Sequence, residues 1–343
     1  MQAYLVDEFG IANLRIEEWE TPEPGPTEVL VKMLAASLNY RDLMVVTGTY
    51  NPKMKRPAVP LSDGAGEIIA TGDKVTRWKT GDRVIPIFAQ GWIEGPPTEE
   101  KRRTSLGAGS YWHGTLREYA VFDEQALVRI PGHLGYEEAS TLPCSALTAW
   151  HALAVSGGLK AGDTVLTQGT GGVSIFAVQI AKLFGARVIS TTSSAEKMER
   201  LKALGADETI NYKETPDWDR AVLEMTDGRG VDHVVEVGGA GTLSRSLKSV
   251  RLGGHIGMIG ALTGAATFDP IGVFMKAVRL QGIFVGSRSM LEDLCRAIEV
   301  GKLRPVTDRK FGFDEAPDAL RHMESGSHFG KIVINFDSPD EGL

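Results

Sequence analysis

Only two of the 343 residues are cysteine, Cys144 and Cys295. Two thiols cannot build a four-cysteine metal site, and they leave no disulfide framework to carry the fold. A reducing, cytoplasmic setting is the natural expectation. Long apolar runs are also missing, since none approaches the roughly 20 residues that a membrane span needs. The first residues, Met1-Gln2-Ala3-Tyr4-Leu5-Val6-Asp7, show neither a basic n-region nor an apolar h-region, so no signal peptide is read there. Positive charge is scarce: 37 Lys and Arg stand against 44 Asp and Glu, a formal net charge of −7. The densest basic block, Lys101-Arg102-Arg103, follows Glu99-Glu100 and reads as a solvated loop. Neither nucleic acid nor membrane is expected as a partner.

Glycine, by contrast, is plentiful at 40 residues, spread between apolar runs as tight strand–helix turns require. The most informative stretch is Thr164-Val165-Leu166-Thr167-Gln168-Gly169-Thr170-Gly171-Gly172-Val173-Ser174. A β-branched run ends abruptly in glycines, and an apolar helical pattern begins at Ile175. Strand, glycine turn and helix in that order build a phosphate site, because glycine lets the backbone approach a pyrophosphate and the free N–H groups of a helix start attract its charge. A second strand pattern follows at 186–192, giving a β-α-β unit with a dinucleotide expected on Gly169, Thr170, Gly171, Gly172 and Val173. In the fingerprint G-x-G-x-x-G, the first two glycines are Gly169 and Gly171, and Ser174 supplies a small third residue.

The length suggests two domains. Up to about residue 140 the chain is β-rich, with short apolar or alternating runs at 29–36, 66–70 and 83–87 punctuated by Pro and Gly. From about Leu142 strands alternate with helices, which favours a parallel sheet. Runs at 208–212, 231–237, 254–260 and 280–286 bring the strand candidates there to six, the number in a complete dinucleotide-binding sheet. The tail adds a helix candidate at Ser289 to Glu299 and a strand candidate at Lys331 to Asn335. Residues 89–114 form a long Gly/Pro/charged stretch containing Trp92, Tyr111 and Trp112. It reads either as a segment lining a binding site or subunit contact, or as a surface insertion with half-buried rings.

Several strings, in this order and spacing, resemble the medium-chain dehydrogenase/reductase superfamily over nearly the whole chain: Gly64-Ala65-Gly66-Glu67, Gly81-Asp82-Arg83-Val84, Leu142 to Trp150, Gly162 to Leu166, Gly171 to Ser174, Leu204-Gly205-Ala206-Asp207 and Gly330-Lys331-Ile332-Val333. The resemblance implies an α/β protein with a GroES-like β-rich catalytic domain (1–141, with 290–343 returning to it) and a six-stranded Rossmann domain (142–289). It also implies a homodimer, with the sixth strand as the usual dimer edge.

Zinc alcohol dehydrogenases of this superfamily carry a Cys, a His-Glu pair and a third ligand at three places. Here Asn39 stands at the first, Ser62-Asp63 at the second, and Cys144 alone remains. One thiolate cannot hold a catalytic zinc, so no metal is expected and Cys144 reads as a small buried hydrophobe. Asn39-x-x-Asp42 with Tyr50 downstream resembles the zinc-free quinone oxidoreductase-like and 2-enoyl reductase branch. That implies Asn39 at the nicotinamide or the substrate carbonyl and Tyr50 as proton donor, with Tyr40 a weaker candidate for the substrate wall and Asp42 a structural partner. For the cofactor it implies Thr148 near the nicotinamide ribose and Tyr212 near the adenosine. Backbone contacts are expected from Ile259, Gly260, Phe284, Val285 and Gly286 at the strand ends. NAD-specific members place an acidic residue after the second strand. Thr192, Ser193 and Ser194 stand there, with Lys197 three residues on, a set suited to the 2′-phosphate of NADPH rather than to NADH. The expected reaction is zinc-independent hydride transfer from NADPH to a quinone or an α,β-unsaturated carbonyl. The alternatives are an alcohol dehydrogenase acting on aldehydes or ketones, and a non-catalytic NADPH-binding relative.

Overall fold

The computed structural model describes residues 1–109, 111–260, 267 and 269–336. The chain forms two compact units. Residues 1–147 join the C-terminal segment from Val285, while Thr148–Phe284 make the second unit. The divisions thus fall at 147/148 and 284/285, against the 141/142 and 289/290 read from the sequence. Leu147 and Gly286 pack so closely in the first unit that a Cβ on Gly286 would sit 2.8 Å from Leu147.

The first unit opens with an antiparallel ribbon of β1 (Gln2–Leu5) and β2 (Arg15–Glu18). Its main sheet then collects β3 (Glu28–Ser37), β4 (Asp63–Thr71), β5 (Arg83–Pro86), β6 (Tyr119–Asp123) and β7 (Leu127–Arg129). In β3 the period-two pattern places Val29, Val31 and Met33 in one apolar core, with Ile68, Val84 and Phe122. Trp92 is fully buried, and the acidic-basic run after it forms a short exposed helix, Glu99–Arg103, with Arg103 paired to Glu99. The basic block therefore lies on a solvated helix instead of a loop, and Trp92 is core rather than a half-buried ring. Its indole N–H donates to the Gly95 carbonyl at 2.9 Å.

The second unit carries β8 (Thr164–Gln168), β9 (Arg187–Thr192), β10 (Glu208–Asn211), β11 (Val231–Glu236), β12 (Val250–Met258) and β13 (Arg279–Gly282). All pair in parallel, in the order β10-β9-β8-β11-β12-β13. This is the doubly wound order, whose ligand crevice lies outside the carboxyl ends of β8 and β11, where the winding reverses. β8 and β11 are buried along their whole length, as central parallel strands must be. Two boundaries differ by four residues from the sequence reading. β12 starts four residues early, because Val250 pairs with Val231 before a bulge restores register at His255 and His233. β13 stops at Gly282, and at Val285 the backbone turns to φ 40°.

The chain then returns to the first unit through the helix Arg288–Gly301, β14 (Thr307–Gly312) and β15 (Lys331–Asn335). The sheet order there is β14-β15-β3-β4-β5-β7, with β6 also on β3. Ile332 and Ile334 of β15 enter a second apolar core with Leu38, Leu43 and Leu320. Strand alternation turns the Lys331 side chain to the opposite face. No helix among the described residues is long and apolar enough to cross a membrane.

Candidate active site

The turn after β8 is built from backbone. Gly169 has φ 70°, a left-handed conformation that favours glycine, and its N–H donates to the Thr191 carbonyl at 2.8 Å. Gly171 has an ordinary φ of −74° and precedes the helix Gly172–Leu183. A Cβ on Gly171 would meet nothing within 4 Å, so the protein's own packing does not demand glycine there. The helix begins at Gly172, three residues before the apolar pattern at Ile175, so Gly172, Val173 and Ser174 form its first turn with their N–H groups free of intrahelical partners. The Ser174 hydroxyl donates to the Gln168 carbonyl at 2.6 Å and ties the helix to its strand. Twelve residues of aligned peptide dipoles give this end a partial positive charge.

Around this turn the second unit arranges the other sequence-predicted residues. Thr192 is buried, and its carbonyl accepts from the Tyr212 N–H at 2.9 Å. Ser194 caps the helix Ala195–Ala203, its hydroxyl accepting from the Lys197 N–H at 3.3 Å. Ser193 and Lys197 are half-buried, and Tyr212 is exposed. Thr148 is buried. The N–H groups of Ile259 and Gly260 both point to the Glu236 carbonyl, at 2.9 and 3.3 Å, and so are taken up within the protein. Glu236, at the end of β11, was not read from the sequence. Its carboxylate is buried and accepts from Gln168 Nε2, Thr242 Oγ1, the N–H groups of Gly238 and Gly239, and Ser246. That network fixes the loop beside the turn.

The first unit holds a second polar centre, made of side chains. Asn39 precedes the helix Tyr40–Val46, and the buried Asp42 carboxylate accepts from the Asn39 N–H at 2.9 Å. The Asn39 side chain does not serve the helix. Its Oδ1 accepts from Lys331 Nζ at 2.7 Å and from the Ser145 hydroxyl at 2.9 Å. Lys331 is 2% exposed, and it also donates to the Leu38 carbonyl at 2.6 Å and lies 3.6 Å from Asp63 Oδ2. Asn39 Nδ2 is buried and makes no hydrogen bond among the described residues, although the amide lies near enough to Asp63 to favour its charged form. Burial pushes the Asp63 carboxyl up, against Lys331. Burial likewise pushes Asp42 up to about 6, against the pull of Arg41 and with the Asp63 charge adding to the rise.

Tyr50 is exposed, and the Arg41 guanidinium stacks over its ring at 5.0 Å and over Phe88 at 4.9 Å. Arg41 reaches Asp42 at 3.5 Å but makes no hydrogen bond among the described residues. The structure thus gathers Asn39 with Lys331, Ser145 and Asp63, and Tyr50 with Arg41; Tyr40 is exposed. Sequence reasoning missed Lys331, Ser145 and Arg41. The available signal was a lysine at the start of an otherwise apolar strand.

The donor set does not suit zinc. An ammonium stands among Asn39, Asp63 and Ser145, where it repels a dication. Burial and the Asp63 charge raise the Cys144 thiol. Cys144 is partly buried, a little less enclosed than the buried hydrophobe read from the sequence. No group of three or more His, Cys, Asp and Glu that could hold a metal occurs among the described residues.

Residues 25–132 match the alcohol dehydrogenase GroES-like domain, and residues 172–299 match the zinc-binding dehydrogenase domain. A zinc-type alcohol dehydrogenase-like protein of Schizosaccharomyces pombe is 43% identical over 336 residues, 96% of each chain. The chain belongs to the medium-chain dehydrogenase/reductase superfamily. Other members show its range. A quinone oxidoreductase of Pseudomonas aeruginosa is 32% identical, with 94% of this chain and 95% of that one covered. A crystallised Sinorhizobium meliloti 1021 chain, provisionally described as an alcohol dehydrogenase, superposes with a TM-score of 0.91 at 44% identity over 98% of both chains. An NAD-dependent alcohol dehydrogenase gives 0.89 at 37%, over 98% of this chain and all of that one. A 2-octenoyl-CoA carboxylase reductase, solved with NADP and 2-octenoyl-CoA, gives 0.86 at 28% over all of this chain and 89% of that one. The chain is therefore an oxidoreductase of this superfamily with the GroES-like and Rossmann parts that define it.

Proposed function

We propose that this oxidoreductase transfers hydride from NADPH to a conjugated carbonyl, a quinone or an enone, without zinc. The observation that carries the reading is the Lys331 ammonium lodged among the side chains that stand where zinc relatives keep their ligands. Bound NADPH supplies the hydride. On the protein side, Gly169 to Val173 receive the pyrophosphate. Ser193 and Lys197 favour the 2′-phosphate, since no carboxylate stands at 192–194 to repel it. Hydride arriving at the β-carbon of an enone drives an electron pair onto its oxygen. An amide N–H at that oxygen stabilises the developing enolate, the role assigned to Asn39 Nδ2. Tyr50 returns a proton to the α-carbon, which completes the saturated carbonyl. A simple aldehyde spreads no charge through conjugation and depends more heavily on a Lewis acid.

The test follows reduced-nicotinamide absorbance with NADPH and NADH against benzoquinone, a 2-alkenal, a crotonyl thioester and a simple aldehyde, each with and without chelator. Turnover of a conjugated acceptor that resists chelation and prefers NADPH is the expected result. Turnover of the simple aldehyde alone, or loss of activity on chelation, overturns the reading in favour of a metal-dependent alcohol dehydrogenase. NADPH binding without any turnover overturns it in favour of a non-catalytic relative.

A further inference from the structure

We infer that Lys331 is a positioning residue that sets which end of the Asn39 amide faces the acceptor. This rests on the proposed role of Asn39 and extends it. The two ends of an amide differ chemically: oxygen accepts and nitrogen donates. An enolate oxygen can use only the nitrogen end. A lysine ammonium has three donors and no acceptor, so any amide end lying 2.7 Å from it must be oxygen. Ser145 completes the constraint. Its hydroxyl lies 3.3 Å from Lys331 Nζ and 2.9 Å from Asn39 Oδ1, so it accepts from the lysine and donates to the amide oxygen. Two donors on Oδ1 turn Nδ2 away from them, and Nδ2, close enough to Asp63 to favour its charged form, makes no hydrogen bond of its own within 3.5 Å among the described residues.

Charge acts in the same direction. Drawing electron density toward Oδ1 makes the Nδ2 hydrogens more acidic and better donors to an oxyanion. The lysine is itself held from three sides, by the Leu38 carbonyl, Ser145 and Asp63, and β15 anchors its backbone between β14 and β3. All these groups lie in one compact unit.

The experiment compares K331M, K331R, N39A and the double variant K331M/N39A on the acceptor that turns over fastest. Lys331→Met keeps length but removes every donor. K331M is expected to lower kcat by about 10- to 100-fold, with NADPH affinity and acceptor KM within twofold. K331R, which also only donates, recovers at least a third of the lost rate. N39A loses about 100-fold or more, and adding K331M to it lowers kcat no further, because the lysine acts through the amide. Full multiplication of the two losses in the double variant, or wild-type kcat in K331M, overturns the inference and leaves the Asn39 role standing. Wild-type kcat in N39A overturns both.

Removing the ammonium strands the buried Asp63, so K331M is paired with K331M/D63N, in which both charges go together. If K331M alone unfolds, that neutral pair carries the comparison with D63N. A readout free of turnover uses the Asn39 side-chain NH2 resonances, identified by their loss in N39A. One sharp pair is expected in the wild type, and broadening by amide rotation in K331M/D63N. Unchanged resonances there overturn the inference whatever the kinetics.

Discussion

The two polar centres are made of different material. The turn at Gly169–Val173 works through its backbone, with the N–H groups of the helix start free of intrahelical partners. The centre at Asn39 is built mainly from side chains, those of Asn39, Asp63, Ser145 and Lys331, with the Leu38 carbonyl as a backbone partner. Backbone chemistry is local, so a turn of this kind is complete within a dozen residues. Side-chain chemistry gathers from wherever the fold brings it, and the Lys331–Asn39 bond spans 292 positions. The first centre is set by a short local stretch and needs little help from the rest of the chain. The second depends on the whole sheet order β15-β3-β4.

The largest effect that separates the two centres is expected at Gly171. A Cβ there meets nothing in the protein, so Gly171→Val should leave thermal stability within about 2 °C, yet push bound phosphate away and weaken NADPH by about 100-fold. Gly169→Val should do the converse, losing about 1–2 kcal/mol of stability because φ 70° is left-handed. Thermal melts and NADPH titrations of the two variants check this; equal melting losses would mean that the glycines are both structural.

A smaller effect is expected at Lys197. Lys197→Ala should lower the NADPH-over-NADH preference in kcat/KM by about tenfold, with turnover at saturating cofactor little changed. An unchanged ratio would remove this lysine from cofactor choice.

The smallest effect sharpens the contrast in buried charge. Burial raises Asp42 to about 6, so between about 4, its unfolded value, and about 6 the folded state holds the extra proton. Its contribution to stability therefore falls as pH rises through that window. Asp232 in β11 has the opposite sign. Burial would raise it, but hydrogen bonds from Arg229, the Thr164 N–H and Arg251 outweigh burial and hold it at about 2. Its contribution is complete above about 4 and is lost as pH falls toward 2. Hydrogen exchange, corrected for intrinsic rates, should show amides of the Asn39 unit gaining protection relative to the β8–β13 sheet between pH 6.5 and 4.5. Asp42→Asn should flatten that gain; if the gain persists in that variant, its source lies in another group.

The same division explains what could be read in the linear sequence. β8 and β15 lie where their patterns put them, because a short β-branched or apolar run bounded by turn residues is decided locally. The glycine turn was legible for that reason. Trp92 was not, since a ring amid glycines, prolines and charges gives no period from which burial can be read. The early start of β12 was hidden because the apolar run was read only from Gly254, while Val250 to Gly253 belong to the same bulged strand. Asn39 was legible only as one residue at one position. Its orientation was not, because it is imposed by Lys331 from the far end of the chain.

The discontinuity of the Asn39 unit has a consequence in time. A ribosome completes the β8–β13 sheet in one uninterrupted stretch, with the glycine turn near its beginning. The other unit is left open, because β15 belongs between β14 and β3 and is translated long after β3. Until that strand emerges, β3 lacks a neighbour and Asn39 lacks the ammonium that fixes its amide. A nascent chain therefore has its glycine turn finished well before its polar side-chain centre can exist.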